Sequence, residues 1–389
     1  TAQRPPGFVC CDNERPVCPM SHHGPTYFHA SAGPTIGVEA ELWLLDRNSH
    51  DLVSGAPGIL AAFENDIHVK AELLESMIEV NTGICNNTDD VRADLTAKIG
   101  EVAKVADDLD LAMASIGTHP FSRWSDAHVT RNRRYQDFLG RMQFPVRRLL
   151  ICGLHVHIGV ESGEKAVAIV NGLLRYIPHF IGLSANSPFW EGQDTGLAST
   201  RTKVFEGMPN AGLPPRMTNY SEFQRFMRTL QRANAIESIR EVWWDIRPHP
   251  GFGTVEIRAF DAVPSIAHMV SLAALSQSLV YALSDFYDNG QQLEVPSEWI
   301  VRENKWRATR YGLDADIIVD EEGSQQTLRS AVHDLLDRLD PFAKKLGCRD
   351  DLFDLQSVVE APHYANQRTN GEGHDLTAVV QQAVGELQA

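Results

Sequence analysis

Positive charge is scarce in this 389-residue chain: 35 lysines and arginines stand against 51 aspartates and glutamates, a formal net charge of −16. A surface of that sign repels phosphate backbones, which argues against nucleic acid as the main partner. A nucleoside triphosphate stays admissible, because bound cations can meet its charge. Apolar runs of 18 or more residues are not seen, nor is a basic region followed by an apolar one at the start, so the expectation is a cytoplasmic protein without a membrane span or secretory signal. Cysteine is sparse as well, with six in all. Cys10, Cys11 and Cys18 cluster ahead of His22 and His23 and could bind zinc, but their spacing fits none of the paired patterns of structural zinc sites. A proline-rich arm is the preferred reading. Walker A and GxGxxG motifs are also missing, which excludes a P-loop or Rossmann nucleotide site.

What is present suffices for a sizeable core. The chain is 43% hydrophobic, and its length alone permits one large domain or two to three ordinary ones. Residues 1–33 lack sustained periodicity and read as an N-terminal extension; residues 34–389 read as a single domain. Helical patterns are expected at 89–115, 164–185, 265–287, 326–346 and from 375 to the C-terminus, the first opening on the capping residues Thr88, Asp89 and Asp90. Strand-like segments are dispersed among them with no clean linker, which predicts the α+β class.

Those strands share a pattern. In TIGVEAELWLLD, period-2 alternation puts Glu39 and Glu41 on one face and Val38, Ala40 and Leu42 on the other. LLESMIEVNTG does the same with Glu75, Glu79 and Asn81, ICGLHVHIGV with His155 and His157, and GTVEIRAFD with Glu256 and Arg258. A wetted sheet face needs no function, yet such a face is ordinarily mixed, and this one is acid and imidazole. Carboxylates at i and i+2 lie roughly 7 Å apart and repel by about 2.4 kcal/mol at an effective dielectric near 20. Divalent cations would relieve that repulsion, and oxygen ligands with histidine suit Mg²⁺ or Mn²⁺. Arginine forks match phosphate and carboxylate, which makes Arg201 and Lys203 in ASTRTKVFEG, Arg247 in WWDIRPHPG, and Arg258 plausible clamps. WWD with RPH could equally be a packed aromatic turn. ENKWRATRYG, with Lys305, Arg307 and Arg310, reads as a surface helix.

GVEAEL, LLESMIEVNTG, CGLHVHIGV, STRTKVFEGMPNAGLPP, WWDIRPHPGFGTVEIRAFD and ENKWRATRYGLDA, in this order from about Pro34 onward, resemble the type 2 glutamate-cysteine ligase family, also called carboxylate-amine ligases. The resemblance implies a glutamine synthetase-like fold: a curved antiparallel β-sheet funnel flanked by helices. It implies ATP and Mg²⁺, with Mn²⁺ as an alternative, and activation of the glutamate γ-carboxylate as an acyl phosphate, attacked by cysteine or another amine to give a γ-glutamyl amide. Motif by motif it implies Glu39, Glu41, Glu79, His155 and Glu256 as metal ligands, with His157 a weaker candidate. Arg258 would neutralise the transferring phosphoryl group, Arg201 with Lys203 the nucleotide phosphates, and Arg247 would hold the substrate carboxylate. The CC-containing extension lies outside these motifs, and self-association is left open. A dinuclear metal hydrolase and a catalytically silent binding protein are the other readings; the first leaves the arginines without a reason.

Overall fold

Alternation in TIGVEAELWLLD becomes the long central strand of one seven-stranded sheet. The computed structural model describes residues 26–64, 66–371 and 375–388, so the Cys10, Cys11 and Cys18 cluster lies outside the described residues. The strands are β1 (Ile36–Asp46), β2 (Val69–Ala71), β3 (Met77–Asn81), β4 (Leu111–Ala114), β5 (Gly153–Gly159), β6 (Ile246–His249) and β7 (Thr254–Asp261). Every pairing is antiparallel, in the order β6-β7-β5-β1-β3-β2, with β4 on the far end of β1. The main helices are α1 (Thr88–Asp108), α2 (Arg133–Met142), α3 (Gly163–Leu173), α4 (Ile177–Ser184), α5 (Ile266–Asp288), α6 (Glu298–Tyr311), α7 (Leu328–Leu346) and α8 (Leu376–Gln388). The α+β class and the antiparallel sheet are as expected.

Ile36, Val38, Ala40 and Leu42 of β1, Ile78 and Val80 of β3, Leu154, Val156 and Ile158 of β5, and Val255 and Ile257 of β7 fill one face of the sheet. Helices α1, α3, α4 and α5 contribute the opposing layer of this core, which places the apolar half of every alternating strand out of water. Beyond Glu41 the other face also closes: Trp43 and Leu45 join Met77, Ala114, Val146, Leu150 and Cys152 in a second buried cluster. The Trp43 indole donates to the Ile116 carbonyl at 2.8 Å. This second cluster walls one side of the ligand-bearing face.

Several expectations are corrected. The helix expected over 89–115 stops at Asp108; Asp110 turns the chain with φ 56°, and Leu111–Ala114 pairs with β1. Helix-forming side chains were outweighed there by an open strand edge. The cap of α1 is Asn87, which accepts from the Asp90 amide, rather than Thr88 or its neighbours. The helix expected over 164–185 is broken by a 3₁₀ turn at Leu174–Tyr176, and Pro178 sits in the first turn of α4, where its missing N–H costs nothing. Among the described residues two helical stretches, Gly163–Ser184 and Ile266–Asp288, are long and apolar enough on average to cross a membrane, and 83% of the most apolar window of each is buried inside the protein. They are core helices whose few polar residues interrupt the apolar run.

Residues 26–35, just ahead of β1, lie on the body. The Tyr220 hydroxyl and the Gln224 amide donate to the Thr26 carbonyl, and the His29 amide donates to Pro250. Gly253, at φ 67°, is required at this crossing, since a Cβ there would stand 1.6 Å from the His29 carbonyl oxygen.

Trp43 is fully buried with its one donor satisfied. Trp43→Ala should therefore lose about 3–5 kcal/mol of unfolding free energy, measured by urea titration, through the cavity it leaves.

Candidate active site

Strand register brings the acidic side chains together. Glu39 stands opposite His155, Glu41 opposite Glu79, and Glu256 opposite His157, so residues far apart in sequence form adjacent pairs on one face. They line a cavity of about 530 Å³ that also takes in Glu72, Arg201, Arg247 and Arg258. Two groups of side chains hold ligand atoms within 4.8 Å of one another: Glu39, His155 and Glu256, and Glu41, Glu79 and His155. His155 belongs to both.

Each imidazole has a distinct state. His155 Nδ1 lies 3.3 Å from Glu39, while its Nε2 is buried without a hydrogen-bond partner, 3.9 Å from Glu41. Burial, helped by the charge of Arg258, lowers its pKa to about 4, so the ring is neutral with a lone pair to give. His157 behaves oppositely: burial works against its charged form but Glu256 and Glu39 outweigh it and raise its pKa. Tighter proton binding competes with a metal for the ring, and His157 falls outside both groups.

The carboxylates divide as well. Burial raises Glu41 to about 7, with Glu79 adding to the rise against the pull of Arg201. Glu79 is raised by burial and by Glu39. Glu39 goes the other way, because hydrogen bonds and charge from His155 and His157 overcome its burial. Glu256 is fully buried and ionised, held down by Arg247 and Arg258. This donor set of crowded oxygens plus one neutral imidazole nitrogen without a partner fits Mg²⁺ or Mn²⁺.

Sequence reasoning missed Glu72. Its carboxyl lines the cavity, and burial together with Glu79 and Glu41 pushes its pKa well above the carboxylate range. Counted by alternation from Glu79, Glu72 has the wrong parity; it lies ahead of β3, beyond the non-strand residues 73–76, so the period-2 pattern does not carry through to it. Its nearness to Glu79 in KAELLESMIEV is the only signal the sequence holds.

The cationic residues do not all go where expected. Arg201 is buried against the cavity, its guanidinium 5.5 Å over the Phe205 ring. Asp261 builds that placement: it accepts from the Ser187 and Ser199 hydroxyls and the Asn186 amide, and Ser199 in turn caps the short helix Thr200–Phe205. Gly153 leaves the room, since a Cβ there would come within 2.1 Å of Arg201 Nη2. Arg258 reaches the Glu256 carboxylate and lines the cavity.

Arg247 is committed elsewhere than the sequence suggests. Its Nε and Nη2 meet Glu256 at 2.6 and 3.1 Å, and Nη1 donates to the carbonyls of Ile239 and Val242. Four of its five N–H groups are used, so it braces Glu256 rather than standing open to a substrate carboxylate. Lys203 pairs with Glu206 at 2.5 Å and lies 5.4 Å over Trp306, away from the cavity. Lys305, expected on a surface helix, is buried in α6 between Asp245 and Glu206, each at 2.6 Å. Long-range pairing of that kind leaves no local mark in a sequence.

The fold recurs in solved structures. A Francisella tularensis glutamate–cysteine ligase, solved in complex with AMP, superposes with a TM-score of 0.64 at 12% identity over 92% of this chain and 90% of that one. A bifunctional glutathione synthetase from Pasteurella multocida gives 0.63 at 13% identity, over 91% of this chain and 52% of that one. The class is that of ATP-dependent carbon–nitrogen ligases. Within it, the chain belongs to Glutamate-cysteine ligase family 2, whose sequence model matches residues 35–371. A Thermobifida fusca protein named "Putative glutamate--cysteine ligase 2" is 48% identical over 87% of this chain and 85% of its own length. A Frankia casuarinae protein named "Putative glutamate--cysteine ligase 2-1" is 43% identical over 92% of this chain and 97% of its own.

Raised carboxyl pKa values fix the sign of a pH effect. Glu41, Glu72 and Glu79 hold protons more tightly folded than unfolded, so the stability they contribute is present below about pH 4.5 and is lost as pH climbs toward 7. The carboxyls taken alone would cost the metal-free protein on the order of 3 kcal/mol across that window. Glu39 and Glu256, being depressed, lose their contribution only on the acid side of about pH 4.5 and do not offset it. Burial lowers His119, His155, His249 and His363 to about 4, so they pull the other way over the same window, and the metal gives the cleaner test: measured against EDTA, Mg²⁺ or Mn²⁺ should raise the calorimetric midpoint more at pH 7.5 than at 5, because the ligand carboxyls shed protons over that range.

Proposed function

We propose that the protein joins the γ-carboxylate of glutamate to a primary amine at the expense of ATP. The γ-carboxylate oxygen attacks the terminal phosphorus of ATP, and ADP leaves. The amine lone pair then attacks the acyl carbon, the bond from that carbon to the phosphate oxygen breaks, and inorganic phosphate departs as the amine gives up a proton. The observation that carries this reading is the convergence of Glu39, Glu41, Glu72, Glu79 and Glu256, the neutral imidazole of His155, and Arg201 and Arg258 on one cavity.

Two sets of side chains would hold divalent ions: Glu39, His155 and Glu256 in one, Glu41, Glu79 and His155 in the other, with Glu72 beside the second. Ions bound there would neutralise phosphate charge. The chain's own contribution is positive charge held in place. Arg258, fixed by Glu256, faces the ground where a phosphoryl group would pass between oxygens, and Arg201 supplies a second guanidinium whose Nε is buried without a partner. Positioning and charge neutralisation account for most catalysis in phosphoryl transfer, so no covalent nucleophile is required of the protein. Arg247 acts through Glu256, holding its carboxylate in plane. A dinuclear hydrolase would leave these arginines unexplained, and the family is one of ligases.

With ATP, Mg²⁺, glutamate and a panel of amines, ADP release should depend on both glutamate and amine; ATP-independent amide hydrolysis would refute the reading. Glu39→Gln should cut turnover by about 100-fold or more with the thermal midpoint kept within a few degrees. Glu256→Gln should differ by destabilising the fold as well, by about 3–5 kcal/mol in denaturant titration, because Arg247 and Arg258 lose their shared counter-charge.

A further inference from the structure

The cavity has a second wall that the chemistry above does not use. Tyr135, Phe138, Leu149, Met208 and Trp243 line it, and the Phe138 and Trp243 rings lie 5.2 Å apart. Two of these, Tyr135 and Phe138, come from α2, none of whose residues is buried. That helix is tied at both edges of the sheet: the Tyr135 hydroxyl donates to Ala71 of β2 at 3.1 Å, and Arg141 pairs with Glu241, just ahead of β6. Its flanks are fastened too, the Thr130 amide donating to Leu73 and Val146 sitting in the second core. Helix α2 is thus a strap laid from one edge strand to the other, with rings turned inward.

We propose that this wall selects the acceptor, and that the acceptor is a primary amine bearing an aromatic or similarly bulky apolar side chain rather than cysteine. The inference rests on the ligase reading. The floor of carboxylates and arginines suits phosphates and the carboxyl groups of glutamate; the amine is the substrate left for an apolar surface. Five apolar or aromatic side chains form a surface that a ring covers more fully than a cysteine side chain does, and uncovered apolar area gives no binding. A purine needs several partners for its ring nitrogens, and with the Tyr135 hydroxyl donating to Ala71 the Trp243 indole N–H is the one side-chain donor this wall offers. Arg134 and Arg240 also line the cavity, and among the described residues neither pairs with a carboxylate, so an amino acid's own carboxylate has cations within reach.

Hydroxylamine, an acceptor too small to need the wall, separates the two levels of the claim. Formation of γ-glutamyl hydroxamate with ATP and glutamate would establish activation independently of the wall. Phenylalanine and phenethylamine, which differ in the carboxylate, are then compared with cysteine, alanine and ethylamine. At least one ring-bearing amine should exceed cysteine by about tenfold or more in kcat/KM. Trp243→Ala and Phe138→Ala should lower kcat/KM for that amine at least about tenfold more than they lower hydroxamate formation, and Trp243→Phe should restore most of it. Hydroxamate formation with cysteine preferred over every ring-bearing amine would overturn the proposal while leaving the ligase reading standing. A rise in KM for ATP in the variants, with amine preference unmoved, would overturn it by assigning the wall to the nucleotide base. No hydroxamate under any condition would bring down the ligase reading and this proposal together.

Discussion

Everything at this site follows from one constraint: carboxylates packed side by side on a sheet must be answered by positive charge or protons. Antiparallel register decides who answers whom. Glu39 finds two imidazoles, Glu256 finds two guanidiniums, and both stay ionised. Glu41, Glu72 and Glu79 crowd one another with less cationic company, and burial together with their mutual charge raises all three. The acidic face is therefore split into a half toward β7 whose carboxylates are held ionised by cations and a half toward β3 whose carboxyls bind protons more tightly, with the uncharged ring of His155 between them.

Much of this was legible in the chain. Alternation named Glu39, Glu41, Glu79, His155 and Glu256 because each lies within a strand whose other face is core, and the period survives along the whole segment. Glu72 escaped because four non-strand residues separate it from β3, and β4 escaped because Leu111–Ala114 is made of good helix formers. Both failures have the same origin: a local pattern cannot report a change of backbone direction.

Charged side chains fixed by distant partners were harder still. Arg247 looked like a free clamp until the carbonyls of Ile239 and Val242 came into view, and Lys305 looked solvated until Asp245 and Glu206 closed on it. Arg201 was placed well by its motif, though the reason lies in Asp261, sixty residues on, which orders the serines around it. Residue type gave the chemistry that was available, whereas tertiary pairing determined how much of it remained uncommitted.

The length of β1 acquires a peculiar rigidity from its two-sidedness. Inserting or deleting a single residue between Ile36 and Leu42 would exchange inside for outside, lodging glutamates among the core valines and delivering valines to the floor of the cavity. A substitution along this strand changes one side chain, whereas a change of spacing by one residue turns every side chain beyond it to the wrong face.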